Sequence, residues 1–152
     1  MVIRGGVLDY LEYEKLCERQ QVRNDEYLSV FEIDLIAAGL TQKTINKHLR
    51  NADFYINIYL LREEPLEMSE GCGYMVDMFL GYYIIYKCMW STPGTIKRTA
   101  ASIKKFYKSM SENGYISTIQ FKEFCDIIKE NIGVWQKECA KKVNWIANKY
   151  KN

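Results

Sequence analysis

In this 152-residue sequence, the residues whose type and spacing indicate a chemical role are the cationic ones. In the stretch from Trp90 to Ile116 they recur at helical spacing, as Lys97, Arg98, Lys104, Lys105 and Lys108. Residues 93–114 hold only one acidic side chain, Glu112, so five cations face one carboxylate and the net charge is +4. A helix decorated only for solubility usually mixes signs, because i, i+4 ion pairs stabilise it slightly. A one-signed face attracts a polyanion, and the alternative is an ordinary solvated lysine face.

The start of a second predicted helix, residues 41–62, combines groups that can hold a phosphate or reach a base edge. Lys43, Lys47 and Arg50 follow one another at i, i+4 and i+7 and so share a face. Thr41 and Thr44 place hydroxyl groups beside them. Donors at a helix N-terminus can bind anions, but the same residue types also serve in ordinary helix capping. The pattern alone leaves both interpretations open.

No arrangement of residues in the sequence supports catalysis or metal binding. The only histidine is His48, which we expect on the surface near a helix start, and no Ser/His/Asp, Cys/His or phosphate-loop pattern occurs. The five cysteines are an odd number without a C-x-x-C pair, which favours reduced thiols over a disulfide framework or a zinc site. We therefore expect no enzyme activity, no cofactor and no metal.

The elements that position the cations are predicted to be helices. Hydrophobic residues make up 48 % of the chain, and only two prolines and nine glycines interrupt it, which favours an all-α fold. Its length predicts a single domain, residues 1–152, folded as a compact bundle of about six helices. The predicted helices span 7–20, 26–38, 41–62, 72–86 and 93–113, and two more lie within 118–150, one ending at about Glu130 and the last running from Val134 to Tyr150, with a break or kink at Gly133 between them.

Local signals support several of these boundaries. Thr92 and Pro93 suit the N-cap and first position of a helix, and Asn113-Gly114 suits its left-handed end. Asn24 or Asp25 is expected to cap the second helix, and Ser117 to Gln120 fits a capping box. One buried stripe is predicted at Ile96, Ala100, Ile103, Tyr107 and Met110. The segment 72–86 is apolar nearly all round, which predicts a central helix.

The sequence gives no sign of a membrane span. The most hydrophobic run, from Cys72 to Trp90, is interrupted by Asp77 and Lys87, and the N-terminus lacks a signal-peptide pattern. We expect a soluble cytoplasmic protein without a membrane partner.

Two of the predicted helices together resemble the N-terminal core-binding domain of tyrosine recombinases, the phage-integrase family. The first matching segment begins at Gly39-Leu40 and the second at Thr95-Ile96, and the resemblance covers about residues 25–117. The matched positions are Gly39, Leu40, Thr44, Ile45, Leu49 and Phe54 in the first segment and Thr95, Ile96, Arg98, Ser102, Ile103, Phe106, Tyr107 and Gly114 in the second.

The resemblance implies a four-helix, SAM-like unit that clamps duplex DNA with the helices 41–62 and 93–113. Carried over by position, the residues contacting DNA would be Thr41, Lys43, Thr44, Lys47, Arg50, Thr95, Lys97, Arg98, Lys104, Lys105 and Lys108. Most would be phosphate contacts. The helices at 118–150 would be additions to the unit, and we expect this chain to lack the catalytic function of a recombinase, since His48 is followed by Leu49-Arg50 rather than completing a His-x-x-Arg motif. The implied function is non-catalytic DNA binding of the kind used in DNA recombination and integration.

A protein-interaction module is the alternative function. In that case the helices at 118–150 would cover the DNA-facing surface or form a homodimer, with Trp135, Trp145 and Tyr150 as candidates for an exposed patch. The two hypotheses differ in one structural respect. DNA binding requires the two cationic helices to share an open positive surface, whereas the alternative places the last helices across it.

Overall fold

The computed structural model describes residues 7–151, and within them the fold is all-α, as predicted. Five helices account for the described chain: α1 (Val7–Ala37), α2 (Gln42–Asp53, continuing as the π-helix Phe54–Tyr59), α3 (Met75–Met78, the π-helix Phe79–Tyr83 and Ile84–Lys87), α4 (Pro93–Glu112) and α5 (Thr118–Lys149). A short 3-10 helix, Met68–Gly71, precedes α3. All five helices contribute buried side chains to one hydrophobic cluster or pack partly buried ones against it. None of the described helices is long and apolar enough to cross a membrane.

The predicted division of α1 into two helices, 7–20 and 26–38, is wrong. The helix continues through the expected cap at Asn24, whose side chain is buried. Asn24 Nδ2 donates to the backbone oxygen of Ile56 at 3.2 Å and to Asn57 Oδ1 at 2.7 Å, both in or beside the π-helical part of α2. Asn24 Oδ1, the atom that would accept a backbone N–H in an N-cap, accepts instead from Gln20 Nε2 at 3.0 Å. Gly39, at φ +80°, follows the end of α1 and supplies the left-handed residue that closes a helix.

The π-helical segments of α2 and α3 pack against each other through aromatic rings. The ring centroid of Phe79 lies 4.8 Å from those of both Tyr55 and Tyr59, and Tyr59 lies 5.0 Å from Tyr83. The wider turns of a π-helix bring these large side chains of each helix onto one face. The segment 72–86 contributes buried residues to the core, as a central helix would, but Met78 and Tyr82 are each about half exposed on its outer face.

Helix α4 forms as its sequence signals predict. Thr92 is the N-cap in a capping box with Thr95, Pro93 is the first helical residue, and Gly114 adopts φ +80° after the C-terminus. All five residues of the predicted stripe are buried, namely Ile96, Ala100, Ile103, Tyr107 and Met110. The rings of Phe31 and Phe106 join α1 to α4, with centroids 5.4 Å apart, and Tyr107 and Phe124 join α4 to α5 at 4.8 Å.

Helix α5 is continuous through Gly133, so the break predicted there is wrong. Its buried residues, Phe124, Ile128, Trp135 and Cys139, follow the spacing of one uninterrupted helical face on both sides of the glycine. Gly133 itself faces open space, which leaves nothing there to bend the helix. Ser117 caps α5 in the predicted capping box with Gln120.

Candidate nucleic-acid interface

An open groove of about 320 Å³ runs between α2 and α4, the two helices that carry the predicted DNA-contacting cations. We call it the interhelical groove. Its lining consists of Thr44, Lys47, His48, Arg50, Asn51, Trp90, Thr95, Arg98, Thr99, Ala101 and Ser102. Each helix presents short polar side chains at the bottom of the groove and long cationic side chains near its rim.

Five of the eleven predicted DNA contacts meet in this groove. Thr44, Lys47 and Arg50 approach it from α2, and Thr95 and Arg98 approach it from α4. Three of the five are cations, and the lining contains no carboxylate. The groove therefore presents a positive charge that no acidic residue in its lining neutralises.

The positive surface is bounded on one side by acidic residues. Arg50 also lines an adjacent cleft against α1, together with Asp25, Glu32 and Asp53. Lys47 and Arg98 are thus the cations of the groove that lie away from this acidic cleft.

A hydrogen-bonded cluster ties the bottom of the groove together. Ser102 Oγ on α4 lies 2.8 Å from His48 Nδ1 and accepts a hydrogen bond from Asn51 Nδ2 at 2.9 Å. Because Asn51 already donates to the serine oxygen, the serine proton is free to point at His48 Nδ1. This arrangement suits a neutral imidazole, and it fixes α2 and α4 relative to each other.

The electrostatic environment also disfavours a charged His48. Partial burial lowers the pKa of this side chain below its ordinary value, and the nearby Lys105 ammonium lowers it further. His48 lies at the surface near the start of α2, as expected, but it is half-buried against α4.

Two predicted contacts sit beside the groove rather than in it. Thr41 is the N-cap of α2, and its hydroxyl accepts a hydrogen bond from the Thr44 backbone N–H at 3.3 Å. Lys43 is exposed one turn before Lys47 on the outer face of α2. The structure assigns Thr41 a capping function and leaves Lys43 in solvent.

The stripe Lys97, Lys104 and Lys108 points elsewhere on α4. At about 100° per residue it lies about 140° around the helix axis from Ser102, which faces the groove. Burial raises the pKa of the Cys125 thiol on α5, and the Lys104 ammonium partly offsets this shift, which places Lys104 on the α5 side. Lys108 Nζ lies 4.0 Å from Glu112 in an exposed ion pair. These three cations share a helix with the groove but not its lining.

Lys105 lies between the cations that line the groove and the stripe Lys97, Lys104 and Lys108. It lies close enough to His48 to act on its pKa, and it lines a cleft that also contains Lys108 and Asp34.

Helix α5 packs beside α4 without covering the groove. Gln136 Nε2 donates to the backbone oxygen of Pro93 at 3.1 Å, and Lys142 Nζ donates to the backbone oxygen of Ser91 at 3.2 Å. These contacts fall at the start of α4, and the buried face of α5 meets the body of the bundle. All eleven predicted residues are exposed or half-buried.

Several groove residues were not identified from the sequence. They are Asn51, Trp90, Thr99, Ala101 and Ser102. Asn51 follows Thr44 and Lys47 at i+7 and i+4, and Ser102 follows Thr95 at i+7, so helical spacing from the predicted contacts could have found both. Trp90 carries no such signal, because it belongs to the loop before α4.

Within residues 7–151 no group of three or more His, Cys, Asp or Glu side chains is placed to hold a metal ion. The five thiols are unpaired. Burial raises the pKa of the Cys72 thiol to about 12, so this cysteine is a poor nucleophile.

Comparison of the chain with protein-family models, curated proteins and solved structures gave no significant match. The resemblance to the integrase core-binding domain therefore stays a prediction.

Proposed function

We propose that this chain is a non-catalytic domain that binds duplex DNA through the interhelical groove, in the manner expected of an integrase core-binding domain. The observation that carries the proposal is the groove itself. Two separately predicted cationic helices contribute Lys47, Arg50 and Arg98 to one open surface whose lining has no carboxylate. Cations that remain in solvent can exchange counterions for phosphates without a large desolvation cost.

The groove divides the contacts into two kinds. Lys47 and Arg98 on opposite rims would each neutralise a phosphate, and Arg98 can do so with two parallel N–H donors. The hydroxyls of Thr44 and Thr95 are further donors to the backbone between them. Gly94 gives the Arg98 side chain room, since a Cβ there would lie 3.1 Å from its Nη1 atom.

The remaining cations form an outer set around the groove. Lys43, Lys97, Lys104, Lys105 and Lys108 would act through longer-range attraction and contacts to flanking phosphates. Such contacts position a domain on a duplex and carry no sequence information. These contacts therefore account for affinity for duplex DNA, and none of them reads a base.

The test is a salt titration of binding to a labelled DNA duplex. The variant Lys47→Gln/Arg50→Gln/Arg98→Gln removes the three groove cations. Each lost phosphate contact reduces the slope of log K against log salt by about 0.9, so the slope should fall by about 2 to 3. We expect affinity at low salt to drop by at least about tenfold, with Arg50 contributing least because of its acidic neighbours.

Two matched variants make the result specific. Lys97→Gln/Lys104→Gln/Lys108→Gln removes three cations from the outer set, and Lys122→Gln/Lys129→Gln/Lys137→Gln removes three exposed cations from α5. The loss should be largest for the groove, smaller for the outer set and smallest for α5. Equal losses in all three would reduce the interaction to net charge and reject the groove as a site.

A further inference from the structure

A second groove, of about 520 Å³, lies where the end of α3 meets the last turns of α5. We call it the end groove. Its lining includes Met89, Trp145, Ile146 and Tyr150, with Lys141 and Lys142 as its charged members. Met89 is 77 % exposed and Trp145 is 62 % exposed, so large apolar side chains face solvent here.

The end groove exists because the apolar stripe of α5 runs past the body of the bundle. Cys139 is the last buried residue of the helix, and the stripe continues through Val143, Ile146 and Tyr150 at i+4, i+7 and i+11. Val143 and Ile146 are half-buried and Tyr150 is exposed. An exposed apolar cluster of this kind is typical of an interaction surface.

The last turns of α5 carry a net positive charge, and Lys141 Nζ lies 3.9 Å from the carboxylate of Glu138, which comes directly before them. Residues 139–151 contain Lys141, Lys142, Lys149 and Lys151 and no acidic residue, a net charge of +4. Lys142 Nζ is held at 2.5 Å from Ser91 Oγ, and Lys149 Nζ lies 4.9 Å from the centroid of the Trp145 ring. A matching occupant is therefore acidic and apolar along one face.

The first turns of α1 have that composition. Residues 9–18 hold Asp9, Glu12, Glu14 and Glu18 against Lys15 alone, a net charge of −3. Of the side chains described in α1, none before Gln20 is buried. Leu11, Glu14, Glu18 and Val22 fall at i, i+3, i+7 and i+11, so one exposed face carries two carboxylates between two apolar residues.

We propose that this protein associates with a second copy of itself, the acidic start of α1 from one copy docking in the end groove of another. Both halves of the contact are on the same chain, and each is a helix end with exposed apolar residues and charge opposite to the other. Two such contacts can form reciprocally in a twofold dimer, and repeated head-to-tail contacts give larger assemblies. The association uses neither Lys47 nor Arg98 and is independent of the DNA-binding proposal.

A nucleic-acid strand suits the end groove less well. Ile85, Met89 and Ile146 provide aliphatic and thioether surface between the rings, whereas a strand requires exposed ring faces on which bases can stack. The Lys149 ammonium already lies over the Trp145 ring.

The test is the molar mass of nuclease-treated protein measured by light scattering over a concentration series. Two charge-reversed variants are compared with wild type: Glu14→Lys/Glu18→Lys at the acidic end, which changes residues 9–18 to a net charge of +1, and Lys141→Glu/Lys149→Glu/Lys151→Glu at the basic end, which changes residues 139–151 to −2. All five side chains are exposed, so both variants keep the fold. We expect wild type to associate and each variant alone to be monomeric, because its two ends then carry the same sign.

An equimolar mixture of the two variants decides the question. Each variant offers an end complementary to the other, so the mixture should recover the mass of the wild-type assembly. Monomeric wild type at the highest soluble concentration, association retained by either variant alone, or no recovery in the mixture would each overturn the proposal. A third variant, Trp145→Ala, should raise the dissociation constant at least tenfold by removing apolar contact.

Discussion

The interhelical groove and the end groove are both positively charged, but the residues that hold each groove in place differ in chemistry. The first lies over the hydrogen-bonded cluster of His48, Asn51 and Ser102. The second lies beyond the point where Trp135 anchors α5 to α3, with its Nε1 atom 2.7 Å from Asp77 Oδ1. One surface is polar at its base and cationic at its rim, whereas the other is apolar at its base and cationic beside it.

This difference separates two ways of binding a negatively charged partner. Solvated cations over a polar base attract a polyanion through charge alone, so that binding weakens steeply as salt rises. An apolar base adds the burial of hydrocarbon, which salt does not screen. The sign of a surface therefore does not decide its partner, and the chemistry beneath the charges does.

The largest expected effect on stability comes from removing Trp135, which anchors α5 next to the end groove. Trp135→Ala deletes a buried ring and leaves Asp77 without its donor, and we expect the free energy of unfolding to fall by about 3–5 kcal/mol. Trp145→Ala, in the same helix but exposed, should change it by less than about 0.5 kcal/mol. Chemical denaturation of both variants measures the difference. Similar losses for the two tryptophans would contradict the division of α5 into an anchored part and an overhang.

A glycine in α3 permits the Trp135 contact and gives the next largest effect. A Cβ at Gly81 would lie 2.7 Å from Trp135 Cδ1, so Gly81→Ala must displace the ring, at a cost of about 1–3 kcal/mol. Gly133→Ala is the matched control, because the helical Gly133 has open space around it and should gain about 0.5–1 kcal/mol. Thermal unfolding of the two variants should therefore shift in opposite directions. A stabilising Gly81→Ala would mean that the ring has room to move.

The hydrogen-bonded cluster at the base of the interhelical groove should contribute less to the free energy of unfolding. Ser102→Ala removes the oxygen shared by His48 and Asn51, and leaving these half-buried groups without that partner costs about 1–2 kcal/mol. Ser111→Ala, half-buried on the same helix, corrects for the change in helix propensity and should cost less than about 0.5 kcal/mol. DNA affinity should also fall in the Ser102 variant, since α2 and α4 lose a fixed spacing. An unchanged affinity would show that the groove does not depend on its base.

The sequence predicted the helices where local chemistry decides the outcome. Caps at Thr41, Thr92 and Ser117 and the left-handed Gly114 depend on neighbouring residues only, and all four are confirmed. The failures at Asn24 and Gly133 have a tertiary origin. Asn24 is buried against α2, with its side-chain oxygen bonded to Gln20 and its amide donating to a carbonyl of α2. Helix α5 keeps one buried face on both sides of its glycine.

Part of the candidate site could be predicted from the sequence for the same reason. Charge and helical spacing selected Lys47 and Arg98, but spacing along one helix does not determine which face meets another helix. Lys97 and Arg98 are neighbours in sequence, yet only Arg98 lines the groove. The contact of His48 with Ser102 joins residues 54 positions apart, and no local pattern predicts it.

The smallest expected effect is a pH dependence that originates at the base of the interhelical groove. The pKa of His48 is lowered in the folded protein, first by burial and then by Lys105, whereas an unfolded histidine titrates near 6.5. The unfolded chain therefore binds more protons between the folded pKa and about 6.5. The stability linked to His48 is fully present above pH 6.5 and is lost as the pH falls toward the folded pKa.

Denaturation of wild type and His48→Gln at pH 7.5 and pH 5.5 isolates this contribution. Glutamine can still reach Ser102 but does not titrate, so the variant should lose less stability on acidification than wild type. Bound DNA would reverse the preference, because a phosphate in the groove favours the charged imidazole, and acidification should then strengthen binding of wild type relative to the variant. If both proteins respond identically to pH with and without DNA, His48 lies outside the electrostatic reach of the groove, and the contrast with the end groove rests on Lys47, Arg50 and Arg98 alone.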